Sequence, residues 1–401
     1  MSNIDDKKLN DFLNRWVTKI YPSKGEFLKA IKSKKLVIYL GIDPTAPDLH
    51  LGHSTNLIVL KKLQEMGQKV ILLIGDFTAK IGDPTGKSEA RNALTDKEVK
   101  LNYKTYKKQA GKILKFTGLN PVKVMFNSKW LSKMNMADVA RLFANFTHGK
   151  TIKREMFQER IKNNQEIYLH EFLYPILQGY DSVAMDVDAE VGGTDQMFNM
   201  MVGRKLVKKY KNKEKFVITT PLLENPKTGK KLMSKSEGGY ISLQYLPNEM
   251  FGKIMALPDE AIIPVFKYCT DLSNEEIDKI EGDLKENKVN PRDLKVELGK
   301  ELVKMYHSLE DAENAAKEFE KIFKEDHVPQ DISEFEISGK INILDLLVKT
   351  KIAFSKSEAR RLIEQKGVKI DDEIQTDWQK DIETKKGMVI QAGKRRFAKV
   401  K

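Results

Sequence analysis

Apolar positions change period several times along the chain, and each change marks an element. Residues 35–41, Lys-Leu-Val-Ile-Tyr-Leu-Gly, form a continuous β-branched and apolar run of the kind a buried strand needs. Residues 42–48 break that run with Pro44 and Pro47 and read as a loop. From 49 to 66 the period becomes helical, with Leu57, Leu60 and Leu63 on one face and Gly67 as the stop. Residues 69–75 are a second buried strand. Strand, helix and strand at this spacing predict a right-handed βαβ unit with parallel strands. Ligands of such sheets sit at the carboxyl ends of the strands, where the 41–53 and 76–87 loops emerge.

Further on, residues 136–178 are mostly helical and strongly charged. A short strand over 186–191 leads into Gly192-Gly193-Thr194-Asp195-Gln196, and 216–218 is another strand. The stretch 247–325 is all helical. Ser273 with Glu276 forms a capping box there, and Asn290 caps a helix that has Pro291 at its first position. Residues 327–340 lose helical periodicity, carry Pro329 and Gly339, and read as a linker before a compact basic unit at 341–401.

At 401 residues the chain is long enough for two or three domains. Lys+Arg number 70 against 57 Asp+Glu, a net +13, which suits an anionic macromolecular partner. No apolar run approaches the roughly 18 residues of a membrane span. The acidic, polar start is unlike a secretory or transit peptide, so a cytoplasmic protein is expected. The single cysteine, Cys269, excludes an intramolecular disulfide and a multi-cysteine metal site.

Two segments carry candidate chemistry. In His50-Leu51-Gly52-His53 the two imidazoles lie three residues apart on one helix face, at the positive end of the helix dipole. Gly52 lets a flat ligand approach the backbone, so the segment reads as a phosphate or nucleotide site. A metal site and two unrelated surface histidines are the competing readings. The second segment, Lys230-Lys231-Leu232-Met233-Ser234-Lys235-Ser236-Glu237-Gly238-Gly239, is a loop of lysines and hydroxyls able to close over phosphates, or simply a solvated basic loop. Gly82-Asp83-Pro84-Thr85-Gly86-Lys87-Ser88 imitates a P-loop but has three residues between its glycines instead of four. Tyr174, Gln178 and Asp181 share one stripe of a helix whose neighbours Phe172, Leu173, Ile176 and Leu177 are apolar; buried polar groups there need a purpose.

Taken together, these segments resemble a class I aminoacyl-tRNA synthetase. His50–His53 resembles its HIGH signature and Leu232–Ser236 its KMSKS loop, with Leu232 in place of the first lysine and Lys231 one position earlier. Tyr39–Ala46, Ile81–Lys87, Tyr174–Asp181 and Gly192–Gln196 narrow the resemblance to a bacterial-type tyrosyl-tRNA synthetase over nearly the whole chain. The resemblance implies an α/β fold. Its expected parts are a Rossmann-like parallel-sheet catalytic domain with an inserted helical dimerisation segment (1–230), a mobile loop (231–240), a helical anticodon-side domain (241–326), a linker (327–340) and a small α+β S4-like RNA-binding domain (341–401). It implies tyrosine binding by Tyr39, Asp43, Thr78, Asp83, Tyr174, Gln178, Asp181 and Gln196, with Asn127 behind them. Tyr39 and Asp181 would meet the substrate phenol, which needs both a donor and an acceptor. Catalysis falls to Thr45, His50, His53 and Lys235, and ATP binding to Gly41, Gly52, Lys87, Arg91, Gly193, Asp195, Met233, Ser234 and Ser236. The implied partners are tRNA(Tyr), tyrosine, ATP with Mg²⁺ and a second copy of the chain, with no tightly bound cofactor and no metal held by the protein.

A tryptophan-specific relative and a non-catalytic RNA-binding relative are the alternatives. The basic tail favours RNA: residues 340–401 hold 16 Lys+Arg and 9 Asp+Glu, a net +7. There Ser355 and Glu358 read as a capping box, Ala359, Leu362 and Ile363 as the inward face, and Lys356, Arg360 and Arg361 as the RNA-facing side chains.

Overall fold

The computed structural model describes residues 4–85, 94–233, 239–324, 334–371, 373–393 and 396–401. They form two compact units, Met1–Ala316 and Lys317–Lys401. Among the described residues no helix is long and apolar enough to cross a membrane.

The first unit is built on six strands: β1 (Lys19–Tyr21), β2 (Val37–Ile42), β3 (Lys69–Ile74), β4 (Lys123–Phe126), β5 (Ala189–Gly193) and β6 (Phe216–Thr220). Their order is β1-β6-β5-β2-β3-β4, all parallel except the β1–β6 pair. The apolar runs read from the sequence are the central strands. Val70 to Ile74 are almost wholly buried, as are Ile38, Tyr39 and Leu40. The Leu51–Glu65 helix covers one face with Leu57, Ile58, Leu60 and Leu63, giving the expected βαβ crossover. The sheet grows from β2 through β3 to β4 on one side and from β5 to β6 on the other. β2 and β5 therefore flank the switch point, and sheets of this kind bind their ligands there, at the carboxyl ends of the strands. β5 begins at Ala189, later than the pattern suggested, because Asp186 takes a positive φ of 50° and turns the chain into the strand.

The inserted helices follow the sequence reading: Met136–Phe143, His148–Thr151, Glu155–Lys162 and His170–Ala184. The last packs on the Met197–Lys211 helix. A Cβ on Gly179 would lie 2.7 Å from Val202 Cγ1 and 3.0 Å from the Gly203 nitrogen, so the two helices approach backbone to backbone. The helical stretch after Pro247 carries both expected caps. Ser273 and Glu276 exchange side-chain and backbone bonds, and Asn290 accepts from the Arg292 N–H.

The second unit has its own core, centred on Leu346, Leu347, Ala359, Ile363, Ile390 and Ala398. The expected linker, 327–340, is described only from 334. There Glu334–Phe335 pairs in parallel with Arg396–Val400, and Gly339–Asn342 pairs with Asp381–Thr384. Lone short strands carry no periodicity, which is why the sequence read them as linker. The capping box at Ser355 is half made: Ser355 accepts from the Glu358 N–H, but Glu358 turns to the Phe354 N–H and to Arg396. Ala359 and Ile363 face inward and Leu362 is half-buried. Lys356, Arg360 and Arg361 are exposed; Lys356 pairs with Asp345, and Arg360 pairs with Glu364 while lying over the Trp378 ring.

Candidate active site

The chain leaving β2 carries Asp43 and then the 44–50 loop. Prolines alone do not hold this loop. Asn102, Tyr106 and Gln109 bond to the carbonyls of Pro44, Ala46 and Pro47, and Gln109 also accepts from the Leu49 N–H. The loop delivers His50 as the N-cap of the Leu51–Glu65 helix. His50 Nδ1 accepts from the Gly52 N–H at 3.1 Å, and His53 Nδ1 accepts from the His50 N–H at 3.2 Å. The two imidazoles form a reciprocal capping box with ring centroids 3.9 Å apart. Because each Nδ1 faces backbone, each Nε2 edge is turned the other way. Desolvation pushes the His53 pKa down to about 4, so this ring is neutral at pH 7. Met233 is buried near Gly52: a Cβ on Gly52 would lie 3.4 Å from Met233 Cβ.

Beside the histidines lies a polar cluster at the ends of β2 and β3. Thr78 donates to Asp43 Oδ1 at 2.7 Å, and Tyr174 donates to Asp43 Oδ2 at 2.9 Å. Gly75 is required here, since a Cβ would sit 1.9 Å from Asp43 Oδ1. Burial, and then the nearby Asp43 charge, raises the Tyr174 phenol well above its ordinary value, so it stays a donor. Asp83 accepts from the Thr85 N–H and hydroxyl and from Gln196 Nε2 at 2.8 Å. Gln178 donates to Glu190 Oε1 at 3.0 Å, while its own Oε1 is buried and meets no hydrogen-bond donor among the described residues.

Deeper still, Asp181 is 2% exposed. Its Oδ1 accepts from Trp130 Nε1 at 2.7 Å and its Oδ2 from Asn127 Nδ2 at 3.2 Å. Burial raises its pKa well above the usual carboxylate range, against the pull of those two donors. Tyr39 is fully buried and its hydroxyl lies 2.9 Å from Ser182 Oγ. At the end of β5, Gly193 leads to Asp195, whose Oδ2 lies 2.7 Å from Lys231 Nζ.

The structure thus brings together Tyr39, Asp43, Thr78, Asp83, Asn127, Tyr174, Gln178, Asp181 and Gln196 as one polar group, in which Asp43, Asp83, Gln178 and Gln196 are half-buried and the others buried. Gly41, Thr45, Gly52, His50, His53, Gly193 and Asp195 lie on the strand ends and loops of the same sheet edge. Gly41 and Thr45 are exposed there. Lys87, Arg91, Ser234, Lys235 and Ser236 lie outside the described residues.

Sequence reasoning missed Trp130, Ser182, Glu190 and Lys215. Trp130 gave no signal, since an indole donor is indistinguishable from a core aromatic. Glu190 did give one: an acid inside an apolar strand, Ala189–Gly193, wants a partner. Arg154 was also missed; it donates to Thr85 Oγ1 at 2.9 Å, behind Asp83.

Comparison with known proteins adds a second line of observation. Residues 32–324 match the family described as tRNA synthetases class I (W and Y), and residues 318–400 match a tyrosine–tRNA ligase SYY-like C-terminal domain. The chain is 43% identical to tyrosine–tRNA ligase 2 of Clostridium acetobutylicum, covering 100% of this chain and 99% of that one. It is 44% identical to the tyrosine–tRNA ligase of Thermotoga maritima, covering 94% of each. Among solved structures, the tyrosyl-tRNA synthetase of Archaeoglobus fulgidus in complex with L-tyrosine superposes with a TM-score of 0.61. That match has 26% identity over 77% of this chain and 98% of that one.

Proposed function

The chain belongs to the class I tRNA synthetases of the tryptophan and tyrosine group, and from that premise we propose how its residues carry out the work of a tyrosine–tRNA ligase. The tyrosine carboxylate attacks the α-phosphorus of ATP. The bond from that phosphorus to the bridging oxygen breaks, and pyrophosphate leaves with the electron pair. The adenylate then passes its tyrosyl group to a 3′-terminal ribose hydroxyl of tRNA(Tyr), releasing AMP. No side chain forms a covalent intermediate; positioning and charge stabilisation carry the rate.

The amino acid lies in this polar group, its ammonium toward Tyr174, Gln178 and Asp83 and its phenol toward Tyr39 and Asp181. The observation that carries this reading is Asp181. A carboxyl group buried among other polar groups and held by an indole and an amide has no structural use that a smaller polar residue would not serve, and a bound phenol gives it one. Thr45, His50 and His53 face the triphosphate, with Lys235, Lys87 and Arg91 supplying charge. ATP enters as its Mg²⁺ complex. Asp195 and Gly193 hold the ribose. Lys231 pairs with Asp195 beside that ribose position.

The basic second unit binds tRNA through Lys356, Arg360 and Arg361. The protein works in the cytoplasm as a homodimer; exposed Met136, Ile161 and Leu169 on the inserted helical segment support a surface for the second copy. ATP–pyrophosphate exchange with tyrosine, tryptophan and phenylalanine, followed by aminoacylation, tests the whole reading. Exchange with tyrosine alone is expected, and exchange driven by tryptophan contradicts it.

A further inference from the structure

A buried ion pair lies under the amino-acid site. Lys215 and Glu190 are 0% and 2% exposed and bond to each other. Glu190 is paired in the sheet with Tyr39, so both side chains leave the same face of neighbouring parallel strands. Room for the ammonium comes from Gly203, where a Cβ would lie 2.5 Å from Lys215 Nζ. An isolated charge in such a place is strongly disfavoured, and a matched pair is often no better than apolar residues of the same volume. Stability therefore gives no reason for this pair, and its hydrogen bonds suggest another.

A carboxylate accepts and never donates. Gln178 must then turn its amide N–H toward Glu190 Oε1, which turns its Oε1 away, unbonded among the described residues and ready for an ammonium. Likewise Ser182 must donate to Glu190 Oε2, a long contact of 3.4 Å. The Ser182 oxygen then accepts a hydrogen bond from the Tyr39 hydroxyl at 2.9 Å. One carboxylate thus sets the orientation of two groups at opposite ends of the amino-acid site.

Building on the function proposed above, we propose that Glu190, clamped by Lys215, is a positioning residue that fixes which atoms Gln178 and Tyr39 present to the substrate. Glu190 touches neither the substrate nor the reacting atoms. Its effect is on tyrosine affinity and on the choice of tyrosine over phenylalanine.

The test uses the full chain in pyrophosphate exchange. The double variant Glu190→Gln/Lys215→Met removes both charges, so neither is left buried alone. The amide introduced in place of the carboxylate can donate as well as accept, so Gln178 and Ser182 lose their enforced direction. The expected result is a tyrosine KM raised by about tenfold or more and a tyrosine-over-phenylalanine ratio lowered by a similar factor. The KM for ATP and the kcat at saturating tyrosine stay near wild type, which a merely structural lesion would not produce. Ser182→Ala cuts only the link to Tyr39 and leaves the ion pair whole. It should lower the ratio while sparing the phenylalanine KM, and it decides the matter if the double variant does not fold. A folded double variant with wild-type tyrosine KM and wild-type ratio overturns the proposal, as does an unchanged ratio in Ser182→Ala. If the wild-type chain does not exchange with tyrosine, the function reading itself fails and takes this proposal with it.

Discussion

Trp130 Nε1 donates to Asp181 Oδ1 at 2.7 Å, joining a residue after the fourth strand of the sheet to a helix fifty residues later. With the Asn127 amide on the other oxygen, it holds the carboxyl in one orientation inside a closed site. Trp130→Phe keeps the aromatic packing and removes only this donor. Leaving a buried acceptor of this kind without its partner costs about 1–3 kcal/mol. The tyrosine KM should therefore rise roughly tenfold to a hundredfold, with the KM for ATP unchanged. Steady-state exchange kinetics over both substrates read this directly.

Gly75→Ala should be far more damaging than its size suggests. The added carbon would meet Asp43 Oδ1 at 1.9 Å and Thr78 Oγ1 at 2.5 Å. The bonds of Asp43 to Thr78 and Tyr174 cannot survive that shift. Tyrosine activation should fall by about a hundredfold or more, at the upper end for loss of two such bonds, while circular dichroism shows a folded chain. Wild-type exchange by this variant would mean that Asp43 is not part of the site.

His50 caps a helix as well as facing the proposed triphosphate. Asparagine is also a good N-cap, so His50→Asn should leave the melting temperature nearly unchanged, whereas His50→Ala should cost about 1 kcal/mol. Both should slow adenylate formation in single-turnover experiments. Removing one transition-state hydrogen bond typically costs about 2.7–4 kcal/mol. Equilibrium dialysis should find tyrosine affinity intact in both.

The His53 ring gives a pH dependence of stability. Its pKa in the folded chain is about 4, below the ordinary 6.5 of the unfolded state, because burial disfavours the charged form. Between these values the unfolded state binds more protons, so stability falls as pH drops from 6.5 toward 4. The loss from this group is at most about 3.4 kcal/mol. Urea unfolding at a series of pH values should show a shallower acid decline for His53→Gln than for wild type. Parallel declines would contradict the neutral, half-buried imidazole.

The second unit should be separable, provided the cut respects its sheet. Glu334–Phe335 and Gly339–Asn342 pair within that unit, so removing residues 340–401 alone would strand them. A chain ending at Lys324 should keep pyrophosphate exchange and lose most tRNA charging. The salt dependence of tRNA binding should weaken by a slope of roughly 0.7–0.9 for each RNA phosphate that the unit neutralises. A parallel fall of both activities would make the unit a support for the catalytic core.

Much of this was legible in the sequence, for physical reasons. The continuous apolar runs at 35–41 and 69–75 are what two-sided burial demands, so the central strands could be read directly. Local chemistry fixed Ser273 and Asn290 as caps. The short strands at 334–335 and 339–342 were not legible, because two to four residues carry no period and pair only with distant partners. In the site, Tyr174, Gln178 and Asp181, which share one stripe of the His170–Ala184 helix, announced themselves by polarity in apolar surroundings. Trp130, Ser182 and Lys215 did not, since their importance comes from which remote side chain they face. Glu190 sits between these cases, visible as an acid in an apolar strand but explained only by the sheet register opposite Tyr39.

The most direct measurement of the central claim is the ratio of kcat/KM for tyrosine to that for phenylalanine, in wild type, Tyr39→Phe and Asp181→Asn. If the two side chains meet the substrate phenol, the wild type strongly prefers tyrosine and each variant loses about a tenfold to hundredfold share of that preference, mainly by slower tyrosine activation. A ratio that stays at the wild-type value in both variants would place the phenol elsewhere and contradict the account.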